Sequence, residues 1–105
     1  MRWSVKILAA AAAICAGAGL AQAQYSDGVI KLGVMNDQSG LYSDLSGQGS
    51  VWSAKKAVED FCKSTKCHDK IEVVFADHQN KPDVGSNIVR QWFDVDKVDA
   101  VVDVP

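Results

Sequence analysis

The chain has 105 residues, 23% of them charged, and a formal net charge of −2. That length allows one folded unit at most, and so short a chain buries only about 60 to 65% of its unfolded surface. The acidic balance argues against a nucleic-acid or anionic-membrane surface.

The first segment reads as a signal peptide. Arg2 and Lys6 give a positive start, and Ile7 to Leu20 follows without a charge. Ala21-Gln22-Ala23 then puts small residues at the two positions a signal peptidase reads, which predicts cleavage before Gln24. A membrane anchor is the rival reading. Fourteen apolar residues at roughly 1.5 Å each span about 21 Å, short of the ~30 Å hydrocarbon core. Cys15 is a poor lipid acceptor, because the bulky Ile14 precedes it in mid-run. The expected division is therefore 1–23 as signal and 24–105 as the mature part. Without Arg2 and Lys6, nine basic residues face thirteen acidic ones, a net charge of −4.

The mature part shows no repeats, linkers or low-complexity runs. Val29 to Met35 is a largely apolar run that predicts a buried strand. Gln38 to Gly49 carries three glycines and three serines and reads as a loop. Val51, Ala54, Ala57, Val58 and Phe61 recur at helical spacing, with Lys55, Lys56, Glu59 and Asp60 opposite. That predicts an amphipathic helix with Ser50 as N-cap. Ile71 to Ala76 predicts a second strand, stopped at Asp77. His78 to Pro82 reads as a loop with Pro82 placed to open a helix. Val84, Ile88, Trp92 and Val95 mark that second helix, and Val98 to Val104 predicts a third strand. Strand, helix, strand, helix, strand implies right-handed crossovers and a parallel α/β sheet. Ligands of such sheets gather beyond the carboxyl ends of the strands. That points to Asn36 to Gly49, Asp77 to Pro82 and Asp103 to Pro105.

Two cysteines remain after the signal, Cys62 and Cys67. Export to an oxidising compartment predicts a disulfide between them. Five residues of unbroken helix rise about 7.5 Å, and a disulfide rarely tolerates more than about 7 Å between Cα atoms. The bridge thus asks the helix to end near Cys62, and Lys63-Ser64-Thr65-Lys66 suits such an end. Two free thiols are the alternative. Cys67-His68 lacks the spacing of haem attachment. A zinc site needs about four ligands, and only His78 stands out as a further one, so no metal or other cofactor is expected.

The other motifs weigh against catalysis. Gly47-Gln48-Gly49 is not a dinucleotide fingerprint: Trp52 occupies the third glycine position, and the pair lies well past the strand. Ser39-Gly40 is not a nucleophile elbow, because no histidine is placed to relay with it. Asp94, Asp96 and Asp99 read as a solvated helix end. The loop after the first strand is richer. Asp37, Ser39, Tyr42, Ser43 and Ser46 gather a carboxylate and hydroxyls near glycines, just before a helix N-terminus. Such an end offers free N–H groups to a carboxylate-bearing ligand, and glycine lets the backbone approach it. An ordinary turn-rich surface loop is the plain alternative.

Four stretches carry a family resemblance: IKLGVMNDQSG at Ile30 to Gly40, AVEDF at Ala57 to Phe61, VVFADHQNKPD at Val73 to Asp83, and VDAVVDVP at Val98 to Pro105. Together they resemble the N-terminal stretch of periplasmic substrate-binding proteins of the leucine/isoleucine/valine-binding type, which serve ABC importers. Asn36 to Ser50 is similar to a branch of which some members bind aromatic acids. The resemblance implies a type 1 periplasmic-binding-protein fold of two α/β lobes that close on ligand. The chain would supply the βαβαβ portion of the first lobe. It implies that Ser39, Gly40 and Tyr42 line the cleft and that the protein works in the periplasm. The partners would be a small ligand (a branched-chain or other amino acid, or an aromatic carboxylate) and the importer permease, with no nucleic acid. The family's main amino-acid-gripping serines and threonines follow the third strand, where this chain ends, so the expectation is a first-lobe fragment that does not bind alone. Asp103 also stands where many members have glycine. A sensor or enzyme domain on a similar scaffold is the alternative; an enzyme would need a nucleophile–base pair or metal cluster.

Overall fold

A computed structural model describes residues 27–105; the predicted signal peptide and the Gln24 cleavage point lie outside them. Five elements follow in order: β1 (Val29–Asn36), α1 (Gly47–Thr65), β2 (Lys70–Asp77), α2 (Pro82–Asp94) and β3 (Ala100–Val102). All three strands are parallel, in the order β2-β1-β3. β1 is therefore central. The chain leaves it toward β2 and later returns to its other side. Right-handed crossovers in opposite directions put α1 and α2 on opposite faces.

Side chains alternate across β1, so each helix meets its own set. On the α2 face, Met35, Trp92 and Val98 form a buried cluster, with Val74, Ala76, Ile88, Val89 and Val101 packed against it. Gly33 makes that packing fit. A Cβ there would stand 2.4 Å from the Trp92 ring, so the indole packs directly on bare β1 backbone. On the α1 face, Val34 and Val51 are buried, and Lys55 Nζ sits 5.0 Å from the centre of the Phe75 ring.

Several boundaries differ from the sequence reading. α1 starts at Gly47, with Ser46 and not Ser50 as N-cap, and that cap makes no side-chain hydrogen bond. The predicted stripe of α1 is only half covered: Val51 is buried and Ala54 and Val58 partly so, while Ala57 and Phe61 are exposed. On α2, Trp92 is buried, but Val95 lies past the helix end in solvent. β3 is three residues long. Val98 N–H instead donates to Trp92 O at 2.9 Å and Asp99 N–H to Lys31 O at 2.9 Å. Asp99 is not part of a solvated helix end either, since its carboxylate accepts the Lys31 N–H at 2.8 Å.

A disulfide joins Cys62 and Cys67 with Cα atoms 4.6 Å apart. The helix does not end near Cys62 to allow this; it runs on to Thr65. Lys66 then turns left-handed at φ 53° and its N–H donates to Cys62 O. Cys67 N–H reaches the same carbonyl at 3.4 Å. A helix can thus continue past the first cysteine and bring the second back through an αL reversal.

Candidate functional site

The carboxyl end of each strand carries a carboxamide or carboxylate: Asn36 closes β1 with Asp37 next, Asp77 closes β2, and Asp103 follows β3. These groups build the carboxyl end. Asp37 is 1% exposed, and its carboxylate accepts backbone N–H groups from Gly40 at 2.7 Å, Tyr42 at 3.0 Å and Ser39 at 3.4 Å. The Tyr42 N–H, followed by those of Gly40 and Ser39, outweighs burial and holds the Asp37 carboxyl below the usual aspartate range. Gly40 is required here for space. A Cβ at that position would lie 2.6 Å from an Asp37 carboxylate oxygen.

Asp77 ties the second loop to the first. It accepts the Gln38 N–H at 3.0 Å, the Gln79 N–H at 2.8 Å and the Ser39 hydroxyl at 2.5 Å. The Gln38 N–H, then the Ser39 hydroxyl, lower its carboxyl as well. Gln48 on the first turn of α1 donates to Gln38 Oε1 at 2.6 Å. His78 is buried, and its Nδ1 accepts the Asn80 N–H at 2.9 Å; that bond marks Nε2 as the protonated nitrogen.

The three residues expected at a ligand thus share one loop, braced from below. Ser39 is exposed, and its hydroxyl proton is committed to Asp77. Gly40 presents backbone at the surface. Tyr42 is half-exposed, its N–H held by Asp37 while its ring is free of a polar partner among the described residues. The bracing role of Asp37 and Asp77 escaped the sequence reading, which took Asp77 as a strand stop at the head of a ligand-side loop and Asp37 as a member of the ligand loop itself. The one available signal was an Asn or Asp at the end of every strand.

α1 begins beside this loop, with no side-chain cap and no acidic residue in its first turn. Such a helix end keeps N–H groups and partial positive charge for a guest. A groove of about 580 Å³ opens elsewhere, between the N-terminal turns of α2 and the segment after β3, and includes none of Ser39, Gly40 or Tyr42. Among the described residues no three metal-ligating side chains converge.

Residues 29–105 match the family model described as periplasmic binding protein, and the chain belongs to that family. Two crystal structures share the fold. A branched chain amino acid ABC transporter periplasmic ligand-binding protein from Burkholderia xenovorans is 43% identical, with a TM-score of 0.65 over 71% of this chain. A periplasmic binding protein from Burkholderia mallei is 41% identical, with a TM-score of 0.64 over 70% of this chain. This chain spans 20% of the length of each. Comparison with curated proteins found no match. The parallel three-stranded sheet with its flanking helices is thus part of a type 1 periplasmic-binding-protein fold.

Proposed function

We propose that this chain supplies one wall of the ligand cleft of a solute-binding protein that delivers amino acids or related small carboxylates to an ABC importer. The supporting observation is the carboxyl end of the sheet: a braced loop exposing Ser39, Gly40 and Tyr42 beside an uncapped helix N-terminus. A ligand carboxylate fits the first-turn N–H groups of α1, and the Tyr42 ring packs on its apolar part. The family and the name of the Burkholderia xenovorans relative favour transport, with the permease as protein partner. The reading is binding without catalysis. The Ser39 hydroxyl donates to the ionised Asp77 carboxylate, a weak base, while His78 Nδ1 accepts a backbone N–H. Export would follow cleavage before Gln24, with the mature chain in the periplasm.

One wall does not enclose a ligand. Desolvating a charged small molecule while satisfying its polar groups takes a closed site. The test therefore has two arms. The exported chain, which should begin Gln-Tyr-Ser by N-terminal sequencing, is titrated calorimetrically with branched-chain amino acids and aromatic carboxylates. No tight binding is expected. Residues 27–105 are then fused in place of the matching segment of the Burkholderia xenovorans protein, which restores a second lobe and should restore binding. A folded fusion that binds neither ligand class would overturn the proposal.

A further inference from the structure

The groove of about 580 Å³ between the N-terminal turns of α2 and the segment after β3 lies apart from the cleft wall. Met35, Val89, Val104 and Pro105 give it apolar walls, and its charged members, Lys81 and Arg90, are both cations. Val104 is left 54% exposed there. His78 also lines the groove. It is 7% exposed, and its Nδ1 accepts the Asn80 N–H at 2.9 Å. The ring proton therefore sits on Nε2, which is buried without a partner. Buried polar groups are nearly always paired in folded proteins. His78 thus asks for an acceptor that the described residues do not supply, and the groove is where one can arrive.

Topology says what arrives. β3 stands at the edge of the described sheet, with β1 on one side only. The step from β2 to β3 crosses over β1, and its right hand places α2 on this face. A further parallel strand on the open side of β3 continues in the same direction. Its right-handed crossover puts the connecting helix on the same face, next to α2. That space is the groove. Val104 and Pro105 form one of its walls, so a chain continuing from them starts inside it. Gly85 and Ser86 line the opposite side with little side chain, which lets a second helix reach the usual packing distance of about 8 to 10 Å. The relatives have chain enough for such a helix: this chain spans 20% of the length of each Burkholderia protein.

We propose that the groove is an internal docking surface, which seats the helix that follows the matched segment in a longer family member, and that this helix or its leading turn supplies the acceptor for His78 Nε2–H. The helix lays its apolar face over Met35, Val89 and Val104, while Lys81 and Arg90, both exposed, stay at the rim in water. A free small anion would suit the two cations but would leave the open edge of β3 uncovered. The proposal rests on the fold and the family, not on the ligand reading.

The test uses the fusion with the Burkholderia xenovorans protein. Ser86 is exposed and lines the groove; Asn87, also exposed on α2, does not line it. Ser86→Phe should clash with a seated helix and weaken the folding equilibrium of the fusion about tenfold or more, read from denaturant midpoints. Asn87→Phe should leave it nearly unchanged. In the unaltered fusion, nitrogen NMR of His78 should show Nε2–H as a proton protected from water by its acceptor. Equal midpoints for the two variants, or a rapidly exchanging Nε2–H, would overturn the inference. Loss of ligand binding in Ser86→Phe without loss of stability would also overturn it, and would give the groove to a small ligand. A fusion that passes both tests yet binds no ligand overturns the cleft reading and leaves this one standing.

Discussion

The two faces of the sheet are built differently. The α2 face is sealed around one ring: Trp92 is 7% exposed and packs directly on Gly33, with Met35 and Val98 completing the cluster. The α1 face is half open: Val34 and Val51 are buried, yet Trp52, Phe61 and Phe75 remain 67%, 54% and 45% exposed. α1 is the longer helix, at 19 residues against 13, so length does not decide coverage. The decisive feature is one large side chain matched to a bare backbone. Where no such match exists, an amphipathic helix lies over the sheet without sealing it, and its far end is held by the Cys62–Cys67 link instead.

The contrast can be broken most forcefully at Trp92. Trp92→Ala removes the indole from a site that cannot refill, and should cost about 3 to 5 kcal/mol. Phe61→Ala on the open face should cost about 1 kcal/mol or less, since the ring already meets water. Denaturant midpoints of the two variants measure the difference. Similar losses would show that the α1 face is sealed after all. A smaller effect comes from replacing Cys62 and Cys67 together by serine. On the chain-entropy model so short a loop contributes roughly 2 kcal/mol. The loss should centre on the last turn of α1, read as faster amide exchange at Thr65 to Cys67 while α2 stays protected. Two alkylatable thiols in freshly exported protein would remove the basis of that expectation.

The strands were legible because their valine and isoleucine runs are what a sheet covered on both faces requires. Pro82 marked the start of α2 through its fixed φ and missing N–H. Helical spacing was less informative on α1. It says which residues share a stripe, and Ala57 and Phe61 do share one with Val51. It does not say how far the sheet extends beneath the stripe. The start of α1 was hidden for a related reason: Ser50 is a good capping residue by type, but the chain enters the helix at Gly47, φ 40°, with no side-chain cap at all. The reversal at Lys66 gave no sign because the usual glycine is missing there. At the site, Ser39, Gly40 and Tyr42 could be picked from their loop. Asp37 could be picked with them, but not its role beneath them or that of Asp77, because an Asp at a strand end reads equally as a stop, a turn or a brace.

The smallest effect separates the braced carboxyl end from both helical faces, and its variable is pH. Asp37 and Asp77 are held ionised by N–H and hydroxyl donors, so their folded-state affinity for protons lies below the ordinary aspartate value of 3.8. A group depressed on folding stabilises fully above its unfolded value and loses that contribution as pH falls through the folded one. Loop order at Ser39 to Tyr42 should therefore be flat from pH 7 to about 5 and decline only below the ordinary carboxylate range. Asp60 and Glu59, paired with Lys56 and Lys63, titrate in the same acid window. They are exposed, and such pairs add little. Protection of the Gly40 and Tyr42 amides, whose N–H groups Asp37 accepts, relative to their free exchange rate at each pH, should fall in acid before protection within α2 does. Asp37→Asn should weaken that brace already at neutral pH and flatten the acid response. Loss of protection at Gly40 between pH 7 and 5, or simultaneous loss at α2, would mean that the loop is not held by these carboxylates.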